Sequence, residues 1–122
     1  MTLVDTSVWV NHFRSGVPEL ESMLNQNLVG THPFIIGELA CGSIKNRHET
    51  IAYLRMLPSA TVARESEVLH LLESYRLWSR GLGWIDMHLL TAVLISGWNL
   101  WTVDTALACT MNAVMGRRSP RA

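Results

Sequence analysis

Apolar residues in this chain form short runs that alternate with longer stretches of amphipathic pattern. Short apolar runs predict strands, and apolar positions spaced three and four residues apart predict helices. The predicted strands are Thr2–Asp5, Leu28–Thr31, Ala60–Val62 and Asn99–Val103. The predicted helices begin at Asp5-Thr6-Ser7, Pro18 (to Gln26), Pro33 (to about Ile44), Arg47 (to Leu57), Glu65 (to Arg80), Asp86 (to Ser96) and Asp104 or Thr105. This alternation favours a parallel sheet covered by helices on both faces, an α/β fold.

Two of the predicted helices have contrasting patterns. From Glu65 to Arg80 the large apolar residues form a single stripe, and Gly81 and Gly83 end the pattern. The stripe consists of Val68, Leu71, Leu72, Tyr75 and Trp78. The segment Asp86–Ser96 is apolar on nearly every side, so we expect a buried helix there.

The ten acidic residues divide into two groups by their surroundings. Six occupy polar faces of amphipathic helices, where solvated charges are ordinary: Glu19, Glu21, Glu49, Glu65, Glu67 and Glu73. The other four lie in or at the end of apolar runs: Asp5, Glu38, Asp86 and Asp104. Asp5 and Asp104 end predicted strands, and ligand sites in open parallel sheets gather at the carboxyl ends of strands. The four carboxylates could therefore converge at one edge of the sheet.

Converging carboxylates need a positive partner, and two interpretations of these acids remain open. Acids are rarely buried unless they are paired or bind a metal, and few basic residues lie in apolar surroundings here. A divalent cation such as Mg²⁺ or Mn²⁺, which prefers oxygen ligands, would relieve the repulsion. Alternatively, Asp5, Asp86 and Asp104 could each simply cap the start of a helix.

Length and composition indicate one folded domain. The chain has 122 residues, of which 48% are hydrophobic and 16% charged, with no net charge at pH 7. These values exclude a disordered chain and a charge-rich coiled coil. We assign residues 1–116 to the domain and residues 117–122 to a short basic tail. Five Trp, six Met and the low charge also predict a homodimer, since aromatic residues and Met are enriched at interfaces.

The chain shows no sign of an extracellular or membrane setting. Cys41 and Cys109 are far apart and form no Cys-x-x-Cys motif, so neither a disulfide framework nor a zinc site is expected. No signal peptide is recognisable at the N-terminus. The longest strongly apolar stretch, Leu89–Trp98, is far shorter than a membrane span. We therefore expect a cytoplasmic protein with no membrane association.

Four segments, taken in order, resemble the acidic motifs of the PIN-domain nucleases. They are Val4-Asp5-Thr6-Ser7-Val8-Trp9, Gly37-Glu38-Leu39, Trp84-Ile85-Asp86-Met87-His88-Leu89-Leu90-Thr91-Ala92 and Leu100-Trp101-Thr102-Val103-Asp104. The resemblance covers nearly the whole chain. A lone small domain of this length is similar to the VapC-type toxins of prokaryotic toxin–antitoxin pairs.

The resemblance implies a fold, a chemistry and a set of residues. The fold would be a three-layer α/β/α sandwich with a central parallel sheet. Asp5, Glu38, Asp86 and Asp104 would bind Mg²⁺ or Mn²⁺ and catalyse hydrolysis of RNA phosphodiester bonds, and Ser7 and Thr102 would orient these acids. One position departs from the family, which often has a basic residue where this chain has Val103. Other arginines would then contact the RNA, with Arg14, Arg80, Arg117 and Arg118 as the candidates.

A toxin of this family implies a cognate antitoxin protein. An arginine of the antitoxin could enter the acidic site, and the rest of its segment could pack on apolar residues of the first two helices. The residues available there are Val8, Trp9, Phe13, Leu20, Met23 and Leu24.

Other functions are compatible with parts of the pattern. A PIN-like scaffold that binds RNA or a partner without cutting it is the main alternative, although all four acids are present. A phosphotransferase of the haloacid-dehalogenase type would need a second Asp where Ser7 stands. The five histidines show no ligand spacing, and we expect none of them to be catalytic. They are His12, His32, His48, His70 and His88.

Overall fold

A computed structural model describes residues 1–118. Over that range the chain forms three strands and seven helices. The strands are β1 (Thr2–Val4), β2 (Val29–Gly30) and β3 (Asn99–Trp101). The helices are α1 (Thr6–Ser15), α2 (Pro18–Asn25), α3 (Pro33–Ala40), α4 (Arg47–Met56), α5 (Glu65–Ser74), α6 (Trp84–Ser96) and α7 (Thr105–Arg118). The last four residues of the predicted basic tail lie outside the described range.

The three strands form one parallel sheet in the order β2-β1-β3. The central strand β1 contributes Leu3 and Val4, which are completely buried. Val4 pairs with Trp101 at the last position of the β1–β3 register. The Asp5 N–H continues the ladder by donating to the Trp101 carbonyl at 2.9 Å. Asp5 and Thr102 therefore leave the carboxyl edge of the sheet side by side. The α/β fold with a parallel sheet is confirmed.

Helix α6 is the buried central helix that the sequence predicts. Every residue from Met87 to Val93 is buried, in keeping with the apolar pattern on all sides. The helix ends at Gly97, whose φ of 70° is the left-handed conformation that glycine adopts without strain. The chain then turns directly into β3, which contacts α6.

The predicted helix Glu65–Arg80 is wrong beyond Ser74. Arg76 and Ser79 have φ values of 53° and 59°, which break the helix. This irregular path buries Leu77 and leaves Trp78 52% exposed, although the stripe placed Trp78 in the core. The chain therefore leaves the helix and buries Leu77, even though the apolar residues continue at helical spacing.

Two other predicted elements differ from the structure. The strand predicted at Ala60–Val62 is wrong: those residues form no strand, and an isolated bridge between Thr31 and Ser59 lies just before them. The helix predicted to reach Ile44 ends at Ala40, where the chain turns away through Gly42. Among the described residues, no helix combines the length and apolar character that crossing a membrane requires.

Candidate functional site

Asp5 occupies the end of β1 and the position just before α1. It is only 7% exposed. Its carboxylate does not cap α1, so the capping interpretation is wrong for this residue. Instead, Oδ2 accepts two hydrogen bonds, one from the Ser7 hydroxyl at 2.9 Å and one from the Thr102 hydroxyl at 2.8 Å. Among the described residues, none donates to Oδ1, so this oxygen is available to a ligand.

Ser7 and Thr102 also hold the turn that follows β3. The Ser7 hydroxyl oxygen accepts the Val103 N–H at 3.2 Å, and that of Thr102 accepts the Asp104 N–H at 3.0 Å. The two hydroxyl oxygens are 3.4 Å apart. Each hydroxyl has one proton, and both protons point to Asp5, so this contact is not a third hydrogen bond. The two side chains thus fix Asp5 and the start of α7 relative to each other.

Asp104 and Asp86 do cap helices, as the alternative interpretation holds. Asp104 Oδ1 accepts the Leu107 N–H at 3.0 Å at the start of α7. Asp86 Oδ2 accepts the Gly83 N–H at 3.0 Å in the first turn of α6. Each cap uses one carboxylate oxygen. Within the described chain the second oxygen of each has no hydrogen-bond donor, so capping and ligand binding are compatible.

Glu38 lies on the exposed side of α3 and is joined to the site through Thr6. The Thr6 hydroxyl donates to Glu38 Oε1 at 3.0 Å. Thr6 immediately follows Asp5, so the first turn of α1 carries a contact to each of two acids. Sequence reasoning missed this role for Thr6. The available signal was its place in Asp5-Thr6-Ser7, which predicts a helix start but not a partner 32 residues away.

The structure links the predicted site residues to different degrees. Direct hydrogen bonds join Asp5 to Ser7 and Thr102, and Thr102 connects them to Asp104. Asp86 makes no hydrogen bond to any of these. In residues 1–118, no three His, Cys, Asp or Glu side chains are grouped closely enough to hold a metal ion as they stand.

The donor set nevertheless has the chemistry of a hard-cation site. The four predicted ligands supply only carboxylate oxygens, which Mg²⁺ and Mn²⁺ prefer. The only ion pair in the described part of the chain joins Arg64 to Glu67. No described Lys or Arg therefore neutralises the four acids. An added divalent cation would supply the missing positive charge.

Aromatic rings connect the beginnings of the two helices that carry Glu38 and Asp86. The Phe34 ring at the start of α3 lies 4.8 Å from the His88 ring, and Trp84 at the start of α6 lies 4.9 Å from it. His32 caps α3, since its Nδ1 accepts the Phe34 N–H at 3.0 Å. Burial, together with the nearby His88, lowers the pKa of His32 from 6.5 to about 4. These contacts show how His32 and His88 help to place α3 against α6.

The candidate RNA-contacting arginines have different surroundings. Val103 is 57% exposed and offers no charge at the position where the family often has a basic residue. Arg80 donates to the Arg76 carbonyl, and Arg117 donates to the Tyr75 carbonyl while its guanidinium lies over the Tyr75 ring. Arg14 alone of the described candidates lines a cleft that also contains Glu38.

The apolar residues predicted for antitoxin docking are mostly core residues. Val8, Trp9 and Leu20 are buried and cannot form a docking surface by themselves. Phe13 is exposed, and Met23 and Leu24 are partly buried against the core. Phe13 and Leu24 border a groove between α1, α2 and α4 with a volume of about 380 Å³. Tyr53 of α4 forms part of its other wall.

Comparison with known proteins adds a full-length match. No protein-family model matches the chain. It is 44% identical over 117 residues to "Ribonuclease VapC32" of Mycobacterium tuberculosis, found in two strains. The match covers 93% of this chain and 94% of that protein. The similarity therefore extends over nearly the whole chain rather than a single motif.

Proposed function

Because this chain belongs to the VapC family of toxin ribonucleases, we propose that it cleaves RNA with a divalent cation bound at Asp5, Glu38, Asp86 and Asp104. The observation that carries the proposal is the pair of hydrogen bonds that Asp5 accepts. Its buried carboxylate at the sheet edge is oriented by the Ser7 and Thr102 hydroxyls, and its second oxygen accepts no hydrogen bond from the described residues. Nothing favours the catalytically silent alternative, since all four acids are present.

The residues fit Mg²⁺ or Mn²⁺, and each has a separate task. A bound ion would neutralise charge on the phosphate and make hydroxide available near neutral pH. Asp5 would be the fixed ligand, because Ser7 and Thr102 hold its orientation. Thr6 would hold the exposed Glu38 side chain at the same end of α1. Asp86 and Asp104 would contribute the oxygens that their capping hydrogen bonds leave free.

The proposal extends to partners and location. An antitoxin would neutralise the enzyme, with an arginine paired to the carboxylates in bidentate geometry. Its apolar side chains would enter the groove bordered by Phe13, Leu24 and Tyr53. We also propose a homodimer that acts in the cytoplasm, where the RNA is present.

Cleavage of a labelled single-stranded RNA tests the proposal. Wild-type protein should cut it in Mg²⁺ or Mn²⁺ and lose activity in EDTA. Asp5→Asn keeps the size of the side chain but removes a charged ligand, so the rate should fall by about 10³ or more. Glu73→Gln, on the exposed face of α5, is the matched control and should cut normally.

Two outcomes would overturn this assignment. Equal cleavage in EDTA would exclude a required metal ion. An Asp5→Asn protein that is as active as Glu73→Gln would exclude Asp5 from the site. Circular dichroism of both variants would show that each is folded.

A further inference from the structure

A cleft opens directly beside Glu38, on the side of α1 that faces α3. It has a volume of about 460 Å³ and includes Thr6 and Glu38, the hydrogen-bonded pair of the candidate site. The opposite wall is the segment that joins α3 to α4, residues 41–46. Arg47 shapes this wall by donating to the carbonyls of Ala40 and Gly42. The cleft is therefore continuous with the acidic site.

Two positive charges line the cleft. Arg14 projects from the last turn of α1, and Lys45 lies in the segment before α4. Both side chains are exposed, and neither forms an ion pair within the described residues. In the same range the Ser43, Ile44 and Lys45 N–H groups donate no hydrogen bond. Arg14 on α1 and Lys45 with the neighbouring amides on the opposite wall provide several donors for an anion.

The floor between the charges is apolar. Val10 and Phe13 are 39% and 38% exposed, although both are on a helix whose other face is core. An exposed ring beside cations suits a flexible nucleic-acid strand, because any base can stack on an aromatic face while cations contact the backbone. The volume and the mixed lining therefore match one or two nucleotides better than a metal ion or a small anion.

We propose that this cleft binds the single-stranded RNA adjacent to the phosphate that is cut. Arg14 and Lys45 contact the backbone phosphates, and a base stacks on Phe13. The inference rests on the proposed ribonuclease function and assigns its substrate path. RNA is favoured over an antitoxin peptide because both charged side chains in the cleft other than Glu38 are positive. The two cations of the cleft would also provide the basic contact that Val103 cannot make.

Substituting both cations tests the assignment without touching the four acids. The variants are Arg14→Gln, Lys45→Gln and their combination, in otherwise wild-type protein. Arg55→Gln is the control, since Arg55 is an exposed arginine on α4 outside this cleft. The measurement is KM and kcat for a labelled single-stranded RNA of mixed sequence over a range of salt concentrations.

Loss of two phosphate contacts should raise KM rather than lower kcat. Each contact contributes about 0.7 to the slope of log affinity against log salt, or about 5-fold in affinity at 0.1 M salt. The double variant should thus show a KM about 25-fold higher and a slope smaller by about 1.4, with kcat within about 2-fold. Arg55→Gln should behave as wild type.

The outcomes separate this inference from the function on which it depends. If wild type cuts RNA and the double variant matches Arg55→Gln, the cleft is not the substrate path while the ribonuclease assignment stands. If the double variant keeps its KM but loses inhibition by the co-expressed antitoxin, the occupant is protein. If wild type does not cut RNA at all, both proposals are wrong.

Discussion

Asp5 shows how a few short-range contacts can prepare one carboxylate for binding. The Ser7 hydroxyl is in the first turn of α1, and Thr102 is just past β3, yet both donate to the same oxygen. Their own oxygens accept backbone N–H groups, which leaves their protons no better acceptor than Asp5. The result is a carboxylate held from two sides with its second oxygen free.

Removing these hydroxyls should slow cleavage less than removing the carboxylate. Ser7→Ala and Thr102→Val each leave Asp5 one donor, so we expect rates about 10–100-fold lower. The fold-decrease in rate of the double variant should be smaller than the product of the two single fold-decreases, because both hydroxyls act through Asp5. Cleavage assays at saturating Mg²⁺ measure this. Ser66→Ala, an exposed serine of α5, is the control.

Full activity of both single variants would contradict the positioning role. Such a result would leave Asp5 as a ligand but make its two hydroxyl partners contributors to the β3–α7 turn alone.

The pattern of acids in apolar runs points to Asp5, and the resemblance to the PIN-domain nucleases adds Ser7 and Thr102. The proximity of these three residues follows from the register that pairs Val4 with Trp101. The Thr6–Glu38 hydrogen bond depends on how α1 packs against α3, which no local pattern specifies. The capping roles of Asp86 and Asp104 were foreseen as alternatives, and they coexist with free carboxylate oxygens.

Among the helices, too, local patterns predict some features, and others depend on contacts between distant residues. Helix α6 was predicted because an apolar pattern on all sides has one explanation, burial. Helix α5 was predicted too long because its apolar spacing continues past Ser74, while the fold buries Leu77 through two residues of positive φ. Helix α3, which carries Glu38, depends on an unusual N-cap, the buried His32.

The cap of α3 should make stability depend on pH. In the folded protein the pKa of His32 is about 4, whereas in the unfolded chain it is about 6.5. Between these values the unfolded chain binds the extra proton, so the free energy of unfolding falls as pH falls from 6.5 towards 4. The full effect is on the order of 3 kcal/mol. Urea unfolding at pH 7 and pH 5 should show about 2 kcal/mol of this effect, because pH 5 is still above the folded-state pKa.

His32→Asn is the matched variant for this test, because asparagine is a strong N-cap that does not titrate. It should be less sensitive than wild type to the same change of pH. An equal loss of stability in the two proteins between pH 7 and pH 5 would show that His32 is not responsible.

At the scale of the whole molecule, opposite charges are kept in neighbouring regions. Asp5 and Asp104 lie at the carboxyl edge of the sheet, and none of the four acids is paired with a cation in the described range. Arg14 and Lys45 line the adjacent cleft, and a groove with both apolar and polar residues in its lining lies beyond α1. A metal ion, an RNA strand and an antitoxin would thus meet around the first helix.

The central claim is that the acids hold a divalent cation, and a Mn²⁺ titration tests it most directly. Electron paramagnetic resonance separates free from bound Mn²⁺ without any need for cleavage. Wild type and Glu73→Gln should bind Mn²⁺ equally, whereas Asp5→Asn should bind it at least about tenfold more weakly. Wild-type protein that binds no Mn²⁺ at millimolar concentration, or Asp5→Asn that binds it as tightly as wild type, would contradict the claim.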